Sequence, residues 1–378
     1  MVGGEASLAK VAVRQYAGMT FPEDFSSDWL AAYLSRRLGE YVIVESFERF
    51  TRGTSRQTWF AQTRSGNGGV PSELVLRTDH PAGSGDPTTL DQEYFIYKCL
   101  GRTNLPVAAA LWWEGDLSLA PRPFYVRRKI AGSWNIPGYS NPDPANNCIR
   151  LAAAQEHLRK LAMVHRIDWR AAGFEDRLSV PASEADAAPN YVRVMMDRLR
   201  GFGADPSALL LEVREWLLDH APVAPRVSLC KGTNGVGEEV FRDGKIVALS
   251  DWEEVSIGDP ASDLAMVQGF LEPIVGDGET VWDMERALEF YRTESGIDVS
   301  LENVRYYQLA RLFGRMVMFA YTATVVGGNS HATVRQSWTA TEVQHVVRRA
   351  LASALGLGSP VDSARFDELN QSVEMTAA

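Results

Sequence analysis

The residues with the clearest chemical potential follow the apolar stretch KIVAL at 245–249, which predicts a buried strand. Asp251 lies at the end of that strand, and a carboxylate fixed there can hold Mg²⁺ between phosphate oxygens. A turn or capping role is the alternative for Asp251. A helix is predicted from Pro260, with Asp259 as its cap, and Asp263 inside it is predicted to be structural.

A second polar group lies in RFTRGTSRQTW, between two segments with the alternation of strands. Gly53 permits a tight turn there. The hydroxyl groups of Thr54 and Ser55, together with backbone N–H groups, have the chemistry to bind phosphate. The turn is therefore a predicted phosphate-binding segment, and a plain hairpin turn is the alternative.

The elements that must position these residues divide the chain into parts. Residues 40–131 contain five strand-like segments and one helix at 90–100, which predicts a small α+β lobe around an antiparallel sheet. Residues 132–378 are predicted to be mostly helical, with a short β insertion at 226–252 that turns at RDGK. Residues 1–39 are predicted to form a helical extension, whose helix starts at a Ser cap and ends at Gly39.

Composition indicates a soluble globular protein and excludes some functions. Hydrophobic residues make up 45% of the 378 residues, enough for a sizeable core. The formal net charge of −10 argues against nucleic-acid binding, which needs a basic surface. The three cysteines form no disulfide framework, so a cytoplasmic location is expected. No signal peptide is recognised, and no apolar run approaches the roughly 20 residues of a membrane span.

Three segments together resemble the aminoglycoside phosphotransferase family, in the branch that includes domains fused to acyl-CoA dehydrogenases: VALSDWEEVSIGDPASDLA, LAMVHRIDWRAAGF and PFYVRRKIAG. The resemblance covers about residues 40–330. It implies an α+β, protein-kinase-like two-lobed fold, ATP and Mg²⁺ as cofactors, and a small-molecule substrate bearing a hydroxyl group. It also implies that Arg77 contacts phosphate and pairs with Glu93. A surface ion pair is the alternative for Arg77 and Glu93.

The same resemblance places Arg127, Arg128 and Lys129 at the hinge between the lobes, where relatives often carry an acidic and an apolar residue. Three adjacent cations in an acidic chain predict recognition of an anionic group, such as a nucleotide or CoA phosphate, with Arg128 as a cofactor contact. A solvated strand edge is the alternative.

The pattern breaks at the catalytic loop, which in the family reads His-Gly-Asp, four residues, then Asn. The corresponding positions here are Lys231, Gly232, Thr233 and Glu238. Threonine is not a general base at pH 7, and the loss of such a base typically slows a reaction by ~10²–10⁴-fold. Lys231 adds a positive charge that is expected near the cleft.

Glu238 still has the chemistry to bind Mg²⁺, because it is a charged oxygen ligand. If the segment is a strand, Glu238 and Glu239 point to opposite faces, so that one of them faces the cleft with Asp251. Glu238 and Asp251 are therefore the predicted metal ligands.

Three functions remain open at this stage. The first is a divergent ATP-dependent phosphotransferase acting on a small, perhaps apolar or acyl, hydroxyl substrate. The second is a lyase, isomerase or hydratase that uses Lys231, Glu238 and Asp251 as acid–base groups without ATP. The third is a pseudokinase-like protein that binds a ligand without turnover. Fold resemblance alone does not decide among them.

Several other residues are predicted to be structural. His165 at a helix end and Cys230 beside Lys231 are interpreted as packed side chains rather than catalysts. Aromatic and methionine side chains of the long C-terminal helix are predicted to fill the core, with an apolar substrate pocket as the alternative; they are Tyr306, Tyr307, Phe313, Met316, Met318, Phe319 and Tyr321.

Overall fold

The computed structural model of the chain describes residues 24–50, 55–66, 72–81, 83–84, 87–235, 237–328 and 332–357. These residues form a small lobe built on a β-sheet and a larger helical lobe. The predicted α+β class and two-lobed architecture are confirmed.

The N-lobe sheet has five strands in the order β1-β2-β3-β5-β4, and all neighbours are antiparallel. The strands are β1 Val42–Phe50, β2 Arg56–Ser65, β3 Ser72–Asp79, β4 Ala110–Glu114 and β5 Phe124–Arg128. The predicted strands are found, because their alternation of apolar and polar residues has the two-residue period of a β-strand.

Helix α1, Ser27–Leu38, packs on this sheet. Ser26 caps its first turn, and Gly39 ends it in the left-handed region at φ 71°, as predicted. The rings of Trp29 and Phe124 meet edge to face with centroids 5.4 Å apart. The segment predicted as an extension therefore shares the hydrophobic core of the N-lobe.

Helix α2, Leu90–Leu100, lies against the other side of the sheet and links the lobes. It has the predicted bounds, and Thr89 caps its N-terminus. Its buried residues belong to a hydrophobic cluster that also includes Leu229 and Trp252 of the C-lobe. The position of α2 is therefore coupled to the segment that carries Asp251.

The C-lobe is mainly helical. Its helices are α3 Asn147–His165, α4 Ala187–Gly201, α5 Ala208–Asp219, α6 Ala261–Leu264, α7 Gln268–Leu271, α8 Met284–Ser295, α9 Leu301–Gly327, α10 Val334–Trp338 and α11 Gln344–Ala354. A π-helical turn, Thr339–Val343, connects the last two. A small antiparallel pair, β10 Ile274–Gly276 and β11 Glu279–Trp282, precedes α8. The large core cluster of this lobe forms around α9.

Five of the seven apolar residues singled out on α9 are buried in the core, whereas Met318 and Tyr321 are half-buried. By length and composition alone, α9 could cross a membrane, which the sequence analysis did not anticipate. Half of its most apolar stretch is buried inside the protein, and Arg311 in this helix forms a buried ion pair with Glu254. Core packing accounts for its apolar character.

The predicted β insertion consists of two antiparallel pairs. Strand β6, Ser228–Cys230, pairs with β9, Ser256–Gly258, and β7, Glu239–Arg242, pairs with β8, Lys245–Leu249. The turn of the second pair holds Asp243 at φ 51° and Gly244 at φ 72°, both in the left-handed region that two-residue hairpins require. The two pairs bring the loop at 231–238 next to Asp251.

Candidate active site in the interlobe cleft

A cavity of about 490 Å³ lies between the lobes. Five of the predicted site residues line it: Ser55, Arg77, Arg128, Glu238 and Asp251. The predicted Gly53 and Thr54 lie outside the described residues. The sequence-predicted site is thus one cleft to which both lobes contribute.

Asp251 follows β8 and has a left-handed backbone at φ 59°, which is uncommon for a residue with a side chain. Its carboxylate lines the same cavity as that of Glu238. Burial, together with the negative charge of Glu238, raises the pKa of Asp251 to about 7. Two adjacent carboxylates of this kind are a hard-oxygen donor set, which suits a divalent cation such as Mg²⁺.

Glu238 and Glu239 both line the cleft cavity, but their side chains have different surroundings. Glu238 lines the cleft, and its backbone carbonyl accepts hydrogen bonds from the Ser250 hydroxyl, at 2.6 Å, and the Ser250 amide, at 3.2 Å. The Glu239 carboxylate is buried, 3.4 Å from Nδ1 of His157 and 3.9 Å from Nζ of Lys231. Of the two glutamates, Glu238 is the one placed to share a ligand with Asp251.

Arg77 of β3 pairs with Glu93 of α2, as the sequence predicted. Nε of Arg77 lies 3.3 Å from Oε1 of Glu93, and the Tyr125 hydroxyl donates to the same carboxylate at 2.7 Å. Burial opposes ionisation of Glu93, but the charges of Arg77 and Arg56 lower its pKa. Because Glu93 is fully buried, this is a structural ion pair rather than a surface one.

Arg56 is a member of this network that the sequence analysis did not single out. Its side chain is fully buried, with Nη1 3.0 Å from Oε2 of Glu93 and Nε 2.9 Å from Oδ1 of Asp79. Burial disfavours its charged form, but the charges of Glu93 and Glu253 outweigh that effect and raise the pKa of Arg56. An arginine directly after the predicted phosphate-binding turn is the signal that could have identified it.

Glu253, two residues after Asp251, connects the lobes. Its carboxylate accepts a hydrogen bond from the Ser55 hydroxyl at 2.8 Å, bonds directly to Arg77, and lies 3.5 Å from Nη1 of Arg56. Burial and the charge of Asp251 raise the pKa of Glu253 to about 7. The groups that a phosphate would contact on the N-lobe therefore hold a carboxylate of the C-lobe in this structure.

The structure places Lys231 differently from the expected cleft cation. Its side chain is fully buried and does not line the cleft cavity. Its ammonium group donates to the Thr233 carbonyl and lies 3.5 Å from the Asp251 carbonyl, because a desolvated ammonium group needs acceptors. Thr233 is half-buried and does not line the cavity either. Lys231 thus links the backbone at Thr233 to the backbone at Asp251 through their carbonyl groups.

Asp263 fixes the shape of the loop that begins at Lys231. Its carboxylate accepts the backbone N–H groups of Lys231 at 2.6 Å and Gly232 at 2.7 Å, and the Asn234 amide at 3.0 Å. Gly232 has φ 87°, and a Cβ atom there would lie 2.2 Å from the Glu254 carbonyl oxygen. These contacts fix residues 231–234 of the loop.

The residues interpreted as structural are packed in the core. His165 bonds to Asp263 at 3.0 Å and to the Tyr291 hydroxyl at 2.7 Å. Burial raises the pKa of Cys230 well above its usual value, so its thiol is not activated. Ligand atoms of His165, Cys230 and Asp263 lie within 4.8 Å of one another, but those of Asp263 are already used by the loop. Asp259 accepts the Ala261 N–H at 2.8 Å, but the helix begins at Ala261 with Pro260 as its N-cap residue, one position later than predicted.

The three hinge cations have different surroundings. Arg127 is held over the Tyr97 ring and bonds its hydroxyl group, and Lys129 pairs with Glu73 at 2.8 Å. Arg128 is exposed, lines the cleft, and has no ion pair within the part of the chain that the structure describes. Of the three, Arg128 is therefore the cation most available to an anionic ligand.

Comparison with known proteins agrees with this geometry. Residues 46–293 match the model of the phosphotransferase enzyme family. Human acyl-CoA dehydrogenase family member 11 is 25% identical over 353 residues, which cover 86% of this chain and 42% of that protein. Mouse acyl-CoA dehydrogenase family member 10 is 23% identical over 345 residues, which cover 86% of this chain and 30% of that protein. The chain thus spans less than half the length of these relatives.

Solved structures share the fold. The macrolide 2′-phosphotransferase MphH from Brachybacterium faecium superposes with a TM-score of 0.52 at 20% identity, covering 83% of this chain and 97% of that one. A thermostable mutant of the aminoglycoside phosphotransferase APH(4)-Ia, in complex with AMP-PNP and hygromycin B, gives a TM-score of 0.50 at 15% identity, covering 85% and 98%. The matched family model, the two-lobed fold and the cleft carboxylates together establish that this chain belongs to the phosphotransferase enzyme family.

Proposed function

We propose that this protein is a divergent ATP-dependent phosphotransferase that acts on a small hydroxyl-bearing substrate. The observation that carries the proposal is the placement of Asp251 and Glu238 opposite Arg77 in one cavity of about 490 Å³. That volume is in the range of small-molecule sites. The complex of the APH(4)-Ia mutant with AMP-PNP supports ATP as the phosphoryl donor on this fold.

In this proposal Asp251 and Glu238 hold Mg²⁺, which neutralises charge on the phosphate oxygens when it is bound. Arg77 contacts the phosphates, and its ion pair with Glu93 fixes the position of its guanidinium group. Ser55 and Arg128 are the further cofactor contacts. Arg77 and Ser55 would exchange part of their contact with Glu253 for contact with the phosphates, because one guanidinium cannot satisfy both anions fully.

The loop at 231–238 supplies position rather than a base. The oxygen of the substrate hydroxyl attacks the γ-phosphorus, the bond to the β-phosphate oxygen breaks, and ADP leaves. The proton of the hydroxyl passes to the transferred phosphoryl group. Because the transition state of phosphoryl transfer is loose, most of the rate enhancement comes from positioning and charge. Without a carboxylate at Thr233, we expect slow turnover.

The test is a calorimetric titration of the protein with ATP and Mg²⁺. We expect binding in the wild type and none with Asp251→Ala. Asp243→Asn, in the exposed turn of the β7–β8 hairpin, is the control for removal of a carboxylate near the same strand, and should bind normally. Absence of binding at millimolar ATP would overturn the proposal.

A second candidate is an acid–base enzyme that works without ATP. The pKa of Asp251, at about 7, and the adjacent Glu238 favour it, because a carboxyl group with that pKa can both donate and accept a proton near neutral pH. It predicts turnover of a substrate in the absence of nucleotide. Nucleotide binding without any transfer would instead indicate a pseudokinase-like binding protein.

A further inference from the structure

A second cavity, of about 260 Å³, lies on the other side of the segment that carries Asp251. Residues 254–259 form one wall, and helices α4 and α9 form the others. None of the metal or phosphate residues of the first cavity lines it. The stretch from Asp251 to Glu254 therefore borders both cavities, and Gln92 of the N-lobe helix α2 also lines the second one.

Positive charge predominates in this second cavity, although the chain has a net charge of −10. Four arginines line it, against the two carboxylates of Glu254 and Asp259. Arg311 is buried and bonds to Glu254, and the charges of Arg311, Arg315 and Arg198 lower the pKa of Glu254 although burial opposes them. Asp259 is already engaged by the Asn303 amide at 2.9 Å.

Two of these arginines, Arg198 on α4 and Arg315 on α9, line the cavity without an ion pair in the described part of the chain. Among the described residues, neither has an acidic oxygen within 4.0 Å, and Arg315 reaches only the Met266 sulfur at 4.0 Å. Both are half-buried, so their charges are incompletely hydrated. Guanidinium groups in such surroundings bind carboxylate or phosphate strongly.

The remainder of the cavity wall is largely apolar. Met195, Val194 and Met318 contribute flexible or branched aliphatic surface, and the Tyr191 ring closes one side. Gly314 makes room for that ring, because a Cβ atom at this position would lie 2.2 Å from the Tyr191 hydroxyl oxygen. A ligand that fits must therefore combine a small apolar body with a group that the arginines can bind.

The cavity is also connected to the catalytic loop. Arg311 donates a hydrogen bond to the Gly232 carbonyl at 2.9 Å as well as binding Glu254. A ligand in the second cavity thus lies against residues that fix the loop at 231–238.

We propose that the second cavity binds the acceptor substrate, and that this substrate is a small amphipathic anion whose carboxylate or phosphate is held by Arg198 and Arg315. The apolar part of the anion packs against Met195 and Met318. The role as acceptor site rests on the proposed function, whereas binding of the anion does not. A polycation such as an aminoglycoside does not fit this cavity, because it would meet unpaired arginines.

The test measures binding of octanoate and octyl phosphate without nucleotide, by calorimetry, with octylamine as the cationic counterpart of the same chain length. We expect at least one anion to bind and octylamine not to bind. The relative affinity of octanoate and octyl phosphate identifies which anionic group is preferred. Octylamine binding as tightly as both anions, or no anion binding at millimolar concentration, would overturn the proposal.

Substitutions of the two arginines test whether the anion binds in the second cavity. Arg198→Gln and Arg315→Gln should each weaken anion binding about tenfold or more, as loss of a charged hydrogen bond does. Arg200→Gln, which removes the same charge from the solvent-exposed end of α4, is the matched control and should leave binding unchanged. Equal binding by all three variants would refute the assignment of these arginines. Anion binding that persists where ATP fails to bind would reject the phosphotransferase proposal alone.

Discussion

On the N-lobe wall of the cleft, Arg56, Arg77 and Glu93 form a buried ionic network on the side that we propose contacts phosphate. On the C-lobe wall, the loop at 231–238 differs from the family pattern at the positions expected to orient and deprotonate the substrate. A buried carboxylate holds its partners on each wall, Glu93 on one side and Asp263 on the other. In the proposed function, phosphate recognition and proton transfer are therefore separable parts of this site.

The contribution of the N-lobe ionic network to stability can be tested by substituting Arg56. Arg56→Met leaves Glu93 and Glu253 with fewer partners in a buried environment, and we expect the free energy of unfolding to fall by about 3–5 kcal/mol. Chemical denaturation monitored by tryptophan fluorescence measures it. Arg64→Met, which removes an exposed ion pair with Glu45, should cost less than about 1 kcal/mol. Similar losses in the two variants would mean that the buried network contributes no more to the free energy of unfolding than an exposed ion pair does.

The metal side of the C-lobe wall can be tested with two neighbouring glutamates. Glu238→Gln should weaken Mg²⁺-dependent nucleotide binding by at least about tenfold, the size of effect that loss of an outer-shell partner of a metal already has. Glu239→Gln is the matched control, because its carboxylate lies 3.4 Å from Nδ1 of His157 and 3.9 Å from Nζ of Lys231. Titration of Mg²⁺ at fixed ATP distinguishes them. A larger loss of binding in Glu239→Gln than in Glu238→Gln would mean that Glu238 is not a metal ligand.

The effect of a missing general base on the rate can be tested by placing a carboxylate at position 233. Thr233→Asp should increase the rate of phosphoryl transfer about tenfold or more, because a general base contributes ~10²–10⁴-fold where it is well placed. Thr233→Asn has nearly the same size without the carboxylate and should give no increase. Single-turnover phosphate transfer to the accepted substrate measures both. An unchanged rate in Thr233→Asp would show that the loop has been reshaped for another purpose.

A further effect is a pH dependence of stability from Glu239. Burial raises the pKa of Glu239 from 4.5 to about 8, although Lys231 opposes the shift. Between these values the folded chain keeps the proton that the unfolded chain releases, so stability is greatest below pH 4.5 and falls as pH rises to 8. We expect up to about 1 kcal/mol per pH unit from this group.

Denaturation at pH 5.5 and 7.5 checks the pH dependence. Glu239→Gln should flatten the slope, whereas Glu48→Gln, an exposed glutamate of β1, should not change it. A slope that is the same in the wild type and in Glu239→Gln would mean that Glu239 is ionised in the folded protein.

The sequence predicted the order of strands and helices in the N-lobe, because its alternating and capped segments are local patterns. It also predicted the pairing of Arg77 with Glu93 and the meeting of Asp251 with Glu238, both through family resemblance rather than spacing. It did not predict Glu253 as the link between the lobes. Glu253 lies 176 residues from Arg77 along the chain, and no local pattern reports such a contact.

What the sequence determined by itself is the fold class and the change of residue types at the catalytic loop. Only the tertiary structure decided what those residues do. It buried Lys231 in the protein, because the backbone carbonyls around Asp251 and Thr233 supply the acceptors that its ammonium group needs. It also brought Arg198 and Arg315 from two distant helices to one cavity. Burial and long-range proximity arise from packing, and packing set the chemistry of this site.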